Sequence, residues 1–385
     1  MEIINYVYPE EYEKLSSESL KIIDLLKYYS DKFIPYPFYK EQYSQAQFGF
    51  GGGMEHQTIS FLGNMNYSLM AHELAHQWFG DYITCASWKE IWLNEGFAEY
   101  LEGMTNELKG NLNWLQWLNE QISIVTSVSG GSVYVDDTTD ITRIFDSRLS
   151  YVKGSMILHM LRFQLGDSIF FTAVRNYLND KNIAYGFAST SDLKKHFETT
   201  ADTNLTEFFN DWYYGQGYPI YSILWYQNNE GLNIEISQNT SDLSVDFFEM
   251  IIPLKIKGVE KDTMIKIQHI KPVQYFKVPV NFQVENIVFD PQKNIVAKIN
   301  SVTRKYFEEK YISLYPNPST DIIYIYKNEG VIINSILIYN IKGQIIYSQS
   351  EYYKKYIDIK DFEKGLYIVK INTNQGIFID KIMKY

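Results

Sequence analysis

At Gly215-Gln216-Gly217-Tyr218-Pro219 the apolar period of the chain changes abruptly from about 3.6 residues to 2, and no single small fold accommodates both halves. Before that point residues 17–29, 68–79, 91–108, 151–165, 169–178 and 205–214 carry helical spacing, with Gly80, Gly110 and Gly166 placed as C-terminal caps. Short strands are expected at 3–8, 43–47 and 54–61, with the glycine-rich Gly49-Phe50-Gly51-Gly52-Gly53 between the last two. Beyond it, residues 232–236, 247–256, 264–269 and 284–289 alternate as strands do. A charged stretch at 304–310 then leads to six further short strands between 322 and 383. The expectation is an α+β multidomain chain: a mostly helical domain at 1–218, a β-sandwich at 219–301, a linker at 302–311 and a second β-sandwich at 312–385.

A chain of 385 residues, 45% hydrophobic and 16% aromatic, is long enough to bury more than one core. Its net charge of -11 argues against a nucleic-acid partner, which would need clustered Lys and Arg to displace counterions. The single cysteine, Cys85, precludes an intrachain disulfide and reads as a small buried hydrophobe. No apolar run reaches 18 residues, so no transmembrane segment is expected. The first residues lack a basic region followed by an apolar core, so they do not read as an export signal.

The residues with the strongest chemical content are His72-Glu73-Leu74-Ala75-His76. On a helix, four residues advance about 400°, which leaves the two histidines about 40° apart on one face. Nineteen positions after His76, the segment Asn94-Glu95-Gly96-Phe97-Ala98-Glu99-Tyr100 opens another helix and offers Glu95 as a third ligand. Two imidazoles, one carboxylate and an open position form the donor set of a catalytic rather than a structural zinc. Glu73, rotated away from the ligand face, is placed to exchange protons with a water that the metal acidifies. Glu99, one turn after Glu95, is expected to orient a ligand histidine, His72 in the first instance. The bland alternative, two ordinary helix histidines, is disfavoured because two of only six histidines fall at metal-ligand spacing.

With these residues in hand the chain resembles the aminopeptidase N family of gluzincin zinc peptidases. HELAHQWFGD at 72–81 and NEGFAEY at 94–100 match its metal motifs, Gly52-Gly53-Met54-Glu55-His56 its exopeptidase motif, and Tyr151-Val152-Lys153-Gly154-Ser155 its tyrosine motif. The resemblance covers about residues 1–301. It implies a thermolysin-like catalytic domain and one Zn(2+) per chain held by His72, His76 and Glu95. It implies Glu73 as general base and acid, Tyr151 as stabiliser of the oxyanion, and a substrate-binding segment of Gly52, Gly53, Met54 and Glu55. Glu55 with Glu95 would bind the free α-ammonium of a peptide. His56 stands where the family has Asn. It is not expected to be a ligand, because three are already supplied. The family's preceding β domain, about 200 residues by ordinary domain size, has no counterpart here, so the chain reads as a fragment or truncated reading frame. Residues 302–385 resemble a type IX secretion sorting domain, with Tyr315-Pro316-Asn317-Pro318-Ser319, Gly365-Leu366-Tyr367 and Lys381-Ile382-Met383-Lys384 as its marks. That resemblance implies the type IX machinery as a partner and release from, or display on, a Gram-negative cell. Two other functions stay open: a zinc endopeptidase, and a catalytically silent surface binding protein.

Overall fold

A computed structural model of the protein describes residues 1–228, 231–305, 311–352, 354–374 and 376–385. It divides into two compact units, Met1–Lys305 and Tyr306–Tyr385. Residues 306–310 of the expected linker lie outside the described residues.

The first unit opens with β1 (Ile3–Tyr6), α1 (Tyr12–Glu18), α2 (Lys21–Lys32), β2 (Tyr43–Gln47), β3 (Gly53–Met54) and β4 (Ile59–Leu62). The strands form one sheet in the order β1-β2-β4-β3, with only β3 antiparallel to its neighbour. The single helix expected at 17–29 is two helices, because the turn around Ser19 and Leu20 tightens to bonds reaching back three residues. The strand expected at 54–61 is likewise two, folded back at residues 55–58.

Next come α3 (Tyr67–Ala75), β5 (Ile83–Cys85), α4 (Trp92–Leu108), α5 (Asn111–Val125), α6 (Ile141–Ile144), α7 (Gly154–Leu165), α8 (Asp167–Leu178), β6 (Gly186–Ala188), α9 (Thr190–Ala201) and α10 (Thr206–Phe209). Asn66 caps α3 by accepting from the Leu69 amide at 2.9 Å, satisfying an orphan donor of the first turn. The last turn tightens, Gln77 to Leu74 and Trp78 to Ala75, so α3 ends earlier than residue 79 while His76 keeps helical dihedrals. Two wide π turns, Ser147–Lys153 and Asn210–Tyr214, replace regular helix where helices were expected to begin at 151 and end at 214. Helix α4 is buried over most of its length and packs against α3, α5 and α7. The Phe97 ring lies flat on Phe79 at 4.0 Å, and burying a side chain of that size contributes roughly 2–3 kcal/mol.

Strands β7 (Pro219–Asn228), β8 (Gly231–Thr240), β9 (Met250–Gly258), β10 (Asp262–His269), β11 (Val273–Val278), β12 (Val284–Phe289) and β13 (Lys298–Arg304) form sheets ordered β10-β9-β12 and β11-β8-β7-β13. Their apolar faces run into one cluster with the helical core, so the change of architecture at 218/219 falls inside one compact unit. His159 of α7 ties this seam, its Nε2 lying 3.0 Å from the carbonyl oxygen of Lys293, and the Val296 amide points at the Met160 sulfur.

Burial lowers the pKa of His159 to about 4, against the opposing effect of the Lys293 carbonyl. The folded value lies below the ordinary 6.5, so this neutral histidine's contribution is complete above about pH 6.5. It is lost as pH falls towards 4 and amounts to at most about 3 kcal/mol. All 7 tryptophans precede residue 306, so their emission follows the first unit alone. In urea titrations His159→Gln is expected to flatten the loss of stability between pH 7.5 and pH 5. An unchanged slope would remove His159 as its source.

The second unit holds β14 (Ile312–Tyr315), β15 (Ile322–Lys327), β16 (Ile333–Asn340), β17 (Ile345–Ser350), β18 (Tyr356–Asp358), β19 (Gly365–Thr373) and β20 (Gly376–Lys384). Its two sheets, β14-β15-β18 and β17-β16-β19-β20, enclose a separate core around Ile323, Ile336, Ile357 and Val369. It has seven described strands against the six expected, the addition being β14. No described helix is long and apolar enough to cross a membrane.

Candidate active site

Helices α3 and α4, the β3–β4 hairpin and the π turn Ser147–Lys153 meet around a cavity of about 1240 Å³. Every site residue singled out from the sequence lines it: Gly52, Gly53, Met54, Glu55, His72, Glu73, His76, Glu95, Glu99 and Tyr151. His56 does not. It is exposed, edge-on to Phe61, and belongs to no group of metal-ligand geometry among the described residues.

Glu95 is 5% exposed, and its Oε2 stands 3.6 Å from His72 Nε2 and 3.4 Å from His76 Nε2. The three ligand atoms lie within 4.8 Å of one another. Nitrogen and oxygen donors at about 2.0–2.1 Å from a tetrahedral zinc stand about 3.4 Å apart, so this donor set fits that ion in both spacing and chemistry. The far nitrogens are held as well: His76 Nδ1 is 3.1 Å from the Phe79 carbonyl, and His72 Nδ1 is 3.5 Å from Glu102 Oε2. Such partners set ring orientation and tautomer.

Glu102 is an addition to the expected set. The carboxylate paired with His72 is that of Glu102, while Glu99, whose oxygen accepts from Gln121 Nε2 of α5 at 3.2 Å, also brings a ligand atom within 4.8 Å of those of His72 and Glu102. Glu102 lies seven residues after Glu95, and seven residues advance a helix by about 700°, returning it to the ligand's own face. That spacing was available in the sequence.

Burial works to lower the pKa of both histidines, but Glu102 and Glu95 override it at His72, and Glu95 overrides it at His76, which reaches about 9. Burial likewise works to raise Glu95, yet His76 and His72 hold it at about 2. The cluster therefore stabilises positive charge at its centre, as a divalent cation requires. Glu73, 4% exposed, is pushed up to about 7 by burial against the pull of His76 and His72. Its Oε2 is buried without a hydrogen-bond partner among the described residues. A Cβ on Gly53 would lie 2.2 Å from Glu73 Oε1, so only glycine allows this carboxylate to stand against the strand. Glu55, Glu73 and His76 also bring ligand atoms within 4.8 Å of one another.

Tyr151 stacks on His72 with ring centroids 6.0 Å apart, and burial, then Glu95, raise its phenol above the usual tyrosine value, so it keeps its proton. A glycine pair brings it there. A Cβ on Gly96 would be 3.0 Å from the Gly154 backbone, so α4 and the start of α7 touch main chain to main chain just beyond Glu95 and Tyr151. Cys85 lines the cavity, but burial raises its thiol to about 12, which leaves no thiolate for nucleophilic chemistry.

Comparison with known proteins places a Peptidase family M1 domain at residues 21–212 and a Secretion system C-terminal sorting domain at 313–385. Similar sequences include Aminopeptidase N of Lactobacillus delbrueckii subsp. lactis, 35% identical over 163 residues, which are 40% of this chain and 19% of that protein. Aminopeptidase M1-B of Oryza sativa subsp. japonica is 34% identical over 194 residues, 48% of this chain and 21% of its own length. Probable aminopeptidase 2 of Sulfurisphaera tokodaii is 30% identical over 235 residues, 55% and 29% of the two chains. The matched region thus spans less than a third of each of these relatives.

Proposed function

We propose, from the premise that the chain carries a peptidase family M1 domain of the aminopeptidase N family and a type IX secretion sorting domain, that it is an exported zinc aminopeptidase. The observation that carries this reading is Glu55 beside Glu73 and His76 in the cavity that also holds His72 and Glu95 in zinc-ligand geometry. A fixed carboxylate one step from the reacting centre is what an enzyme needs to bury a peptide's cationic end.

In this reading residues 1–218 form a thermolysin-like catalytic domain, 219–301 a β-sandwich domain, 302–311 a linker and 312–385 a β-sandwich sorting domain for type IX secretion. His72, His76 and Glu95 hold one zinc ion per chain. That ion supplies Lewis acidity, polarising the scissile carbonyl and acidifying water in the site. Glu55 and Glu95 bind the α-ammonium and so place the first peptide bond of the substrate over the ligands, with Gly52, Gly53 and Met54 alongside its backbone. Glu73 takes the proton of the attacking water and passes it to the departing amine, a role its burial beside the histidines suits. Tyr151 donates a hydrogen bond to the carbonyl oxygen as negative charge develops there. The substrates are peptides with a free N-terminus. The type IX machinery delivers the chain to the cell surface or beyond.

A panel of aminoacyl anilides, each free and N-acetylated, tests the reading on zinc-loaded protein. Cleavage of the free forms alone is the expected result. Cleavage of blocked substrates would favour the endopeptidase. No cleavage by folded, zinc-loaded protein would favour the silent binding protein.

A further inference from the structure

Gln77, immediately after the second histidine, has no exposed surface, and its amide is used at both ends. Its Oε1 accepts from the Thr58 amide at 2.9 Å and from the Tyr36 hydroxyl at 3.2 Å. Its Nε2 donates to Asp81 Oδ2 at 2.6 Å, and it lies 3.3 Å from the His56 carbonyl oxygen and 3.4 Å from that of Glu55. An amide N–H only donates and a carbonyl only accepts, so these partners fix which end of the side chain faces which. Three of the five contacts go to the backbone of residues 55–58, the reversal between β3 and β4 that carries Glu55.

That reversal needs holding. Thr58 sits at φ 64°, a left-handed conformation that is unfavourable for a β-branched residue. Local strain of this kind, of order 1–3 kcal/mol, persists only where surrounding contacts over-determine it. The Ile59 amide bonds back to His56 at 3.0 Å, and the Thr58 carbonyl accepts from Ser44 at 2.8 Å, but these bonds tie the turn to its own sheet. Gln77 ties it to the segment that bears the histidines. Through one rigid side chain the turn carrying the amine-binding carboxylate is registered against the metal ligands.

We propose that Gln77 is a positioning residue that sets where the Glu55 carboxylate stands relative to His72, His76 and Glu95, and thereby sets the selectivity for substrates with a free α-amine. The proposal rests on the reading of Glu55 as the amine-binding group. Gln77 touches neither the substrate nor the reacting atoms. Leucine in its place fills similar volume without the five contacts. Glutamate keeps the shape and the two accepted bonds, but sets an oxygen against two carbonyls and the Asp81 carboxylate.

The test compares two metal-binding probes on the zinc-loaded full chain by calorimetry: leucine hydroxamate, which carries the amine, and 4-methylpentanohydroxamate, which lacks only that group. The wild-type protein is expected to prefer the first. Gln77→Leu is expected to lose about ten-fold of this preference, the scale of a misaligned charged hydrogen bond. Its affinity for the amine-free probe should change by less than about two-fold, with zinc content retained. Gln77→Glu should shift the preference in the same direction, and it carries the test if the leucine variant does not fold. An unchanged preference would overturn the proposal. So would equal weakening of both probes or loss of zinc, which are the marks of a merely structural residue. Glu55→Gln separates the premise from the inference. If it keeps the preference, the amine site is not at Glu55 and the proposal falls with that reading. If it loses the preference while Gln77→Leu keeps it, only the role of Gln77 is refuted.

Discussion

Glu73→Gln is expected to lower kcat on a free aminoacyl anilide by about 10²–10⁴-fold, the range that a positioned acid–base group contributes, with KM and zinc content little changed. Glutamine keeps the volume and the approach to Gly53 but cannot accept the proton of an attacking water. The structure makes this substitution a clean probe. Glu73 is 4% exposed, directly follows His72 in sequence, and is absent from the group formed by His72, His76 and Glu95. Loss of zinc in the variant would reassign Glu73 to metal binding, and a rise in KM at constant kcat would reassign it to substrate binding. A fall in kcat alone identifies proton transfer.

The chemistry of this cavity was more legible in the sequence than its scaffold was. His72, Glu73, His76 and Glu95 are tied by two short spacings on two helices, and helical geometry is regular enough for spacing to become direction. Glu55 and Tyr151 come from a hairpin and a π turn, and it was the resemblance, not the period of the chain, that drew attention to them. A wide turn such as Ser147–Lys153 has no apolar signature distinct from an α-helix, so the expected start at 151 missed it. That Glu102 was not singled out beside Glu99 has a related cause. The i+4 position looked nearest to the ligand, but α5 was not anticipated, and its Gln121 takes the Glu99 carboxylate. Helix α9 was missed as well, although Ser189 and Asp192 form a capping box that four residues of sequence display. Gln77 was unreadable for a different reason. Three of its partners are backbone groups of a distant hairpin, and main-chain atoms leave no mark in a pattern of residue types.

Tyr151→Phe should lower kcat by about 10²–10³-fold, the cost of one missing oxyanion donor. The expectation follows from placement more than from the phenol itself. The contact of Gly96 with Gly154 presses α4 against α7, and the π turn then delivers Tyr151 beside His72 and Glu95. Burial, then Glu95, hold the phenol above the usual tyrosine value, so it is a donor at neutral pH, and its loss adds no new ionisation there. Phenylalanine preserves the ring on His72 and removes one oxygen. A donor that acts only as charge develops contributes little to ground-state binding, so KM should hold while affinity for a tetrahedral phosphinate analogue falls in step with kcat. Equal losses in KM and in analogue affinity would place the hydroxyl on the substrate rather than on the transition state. A variant as active as the parent would mean that the developing charge is met elsewhere, with Tyr151 serving only to pack His72.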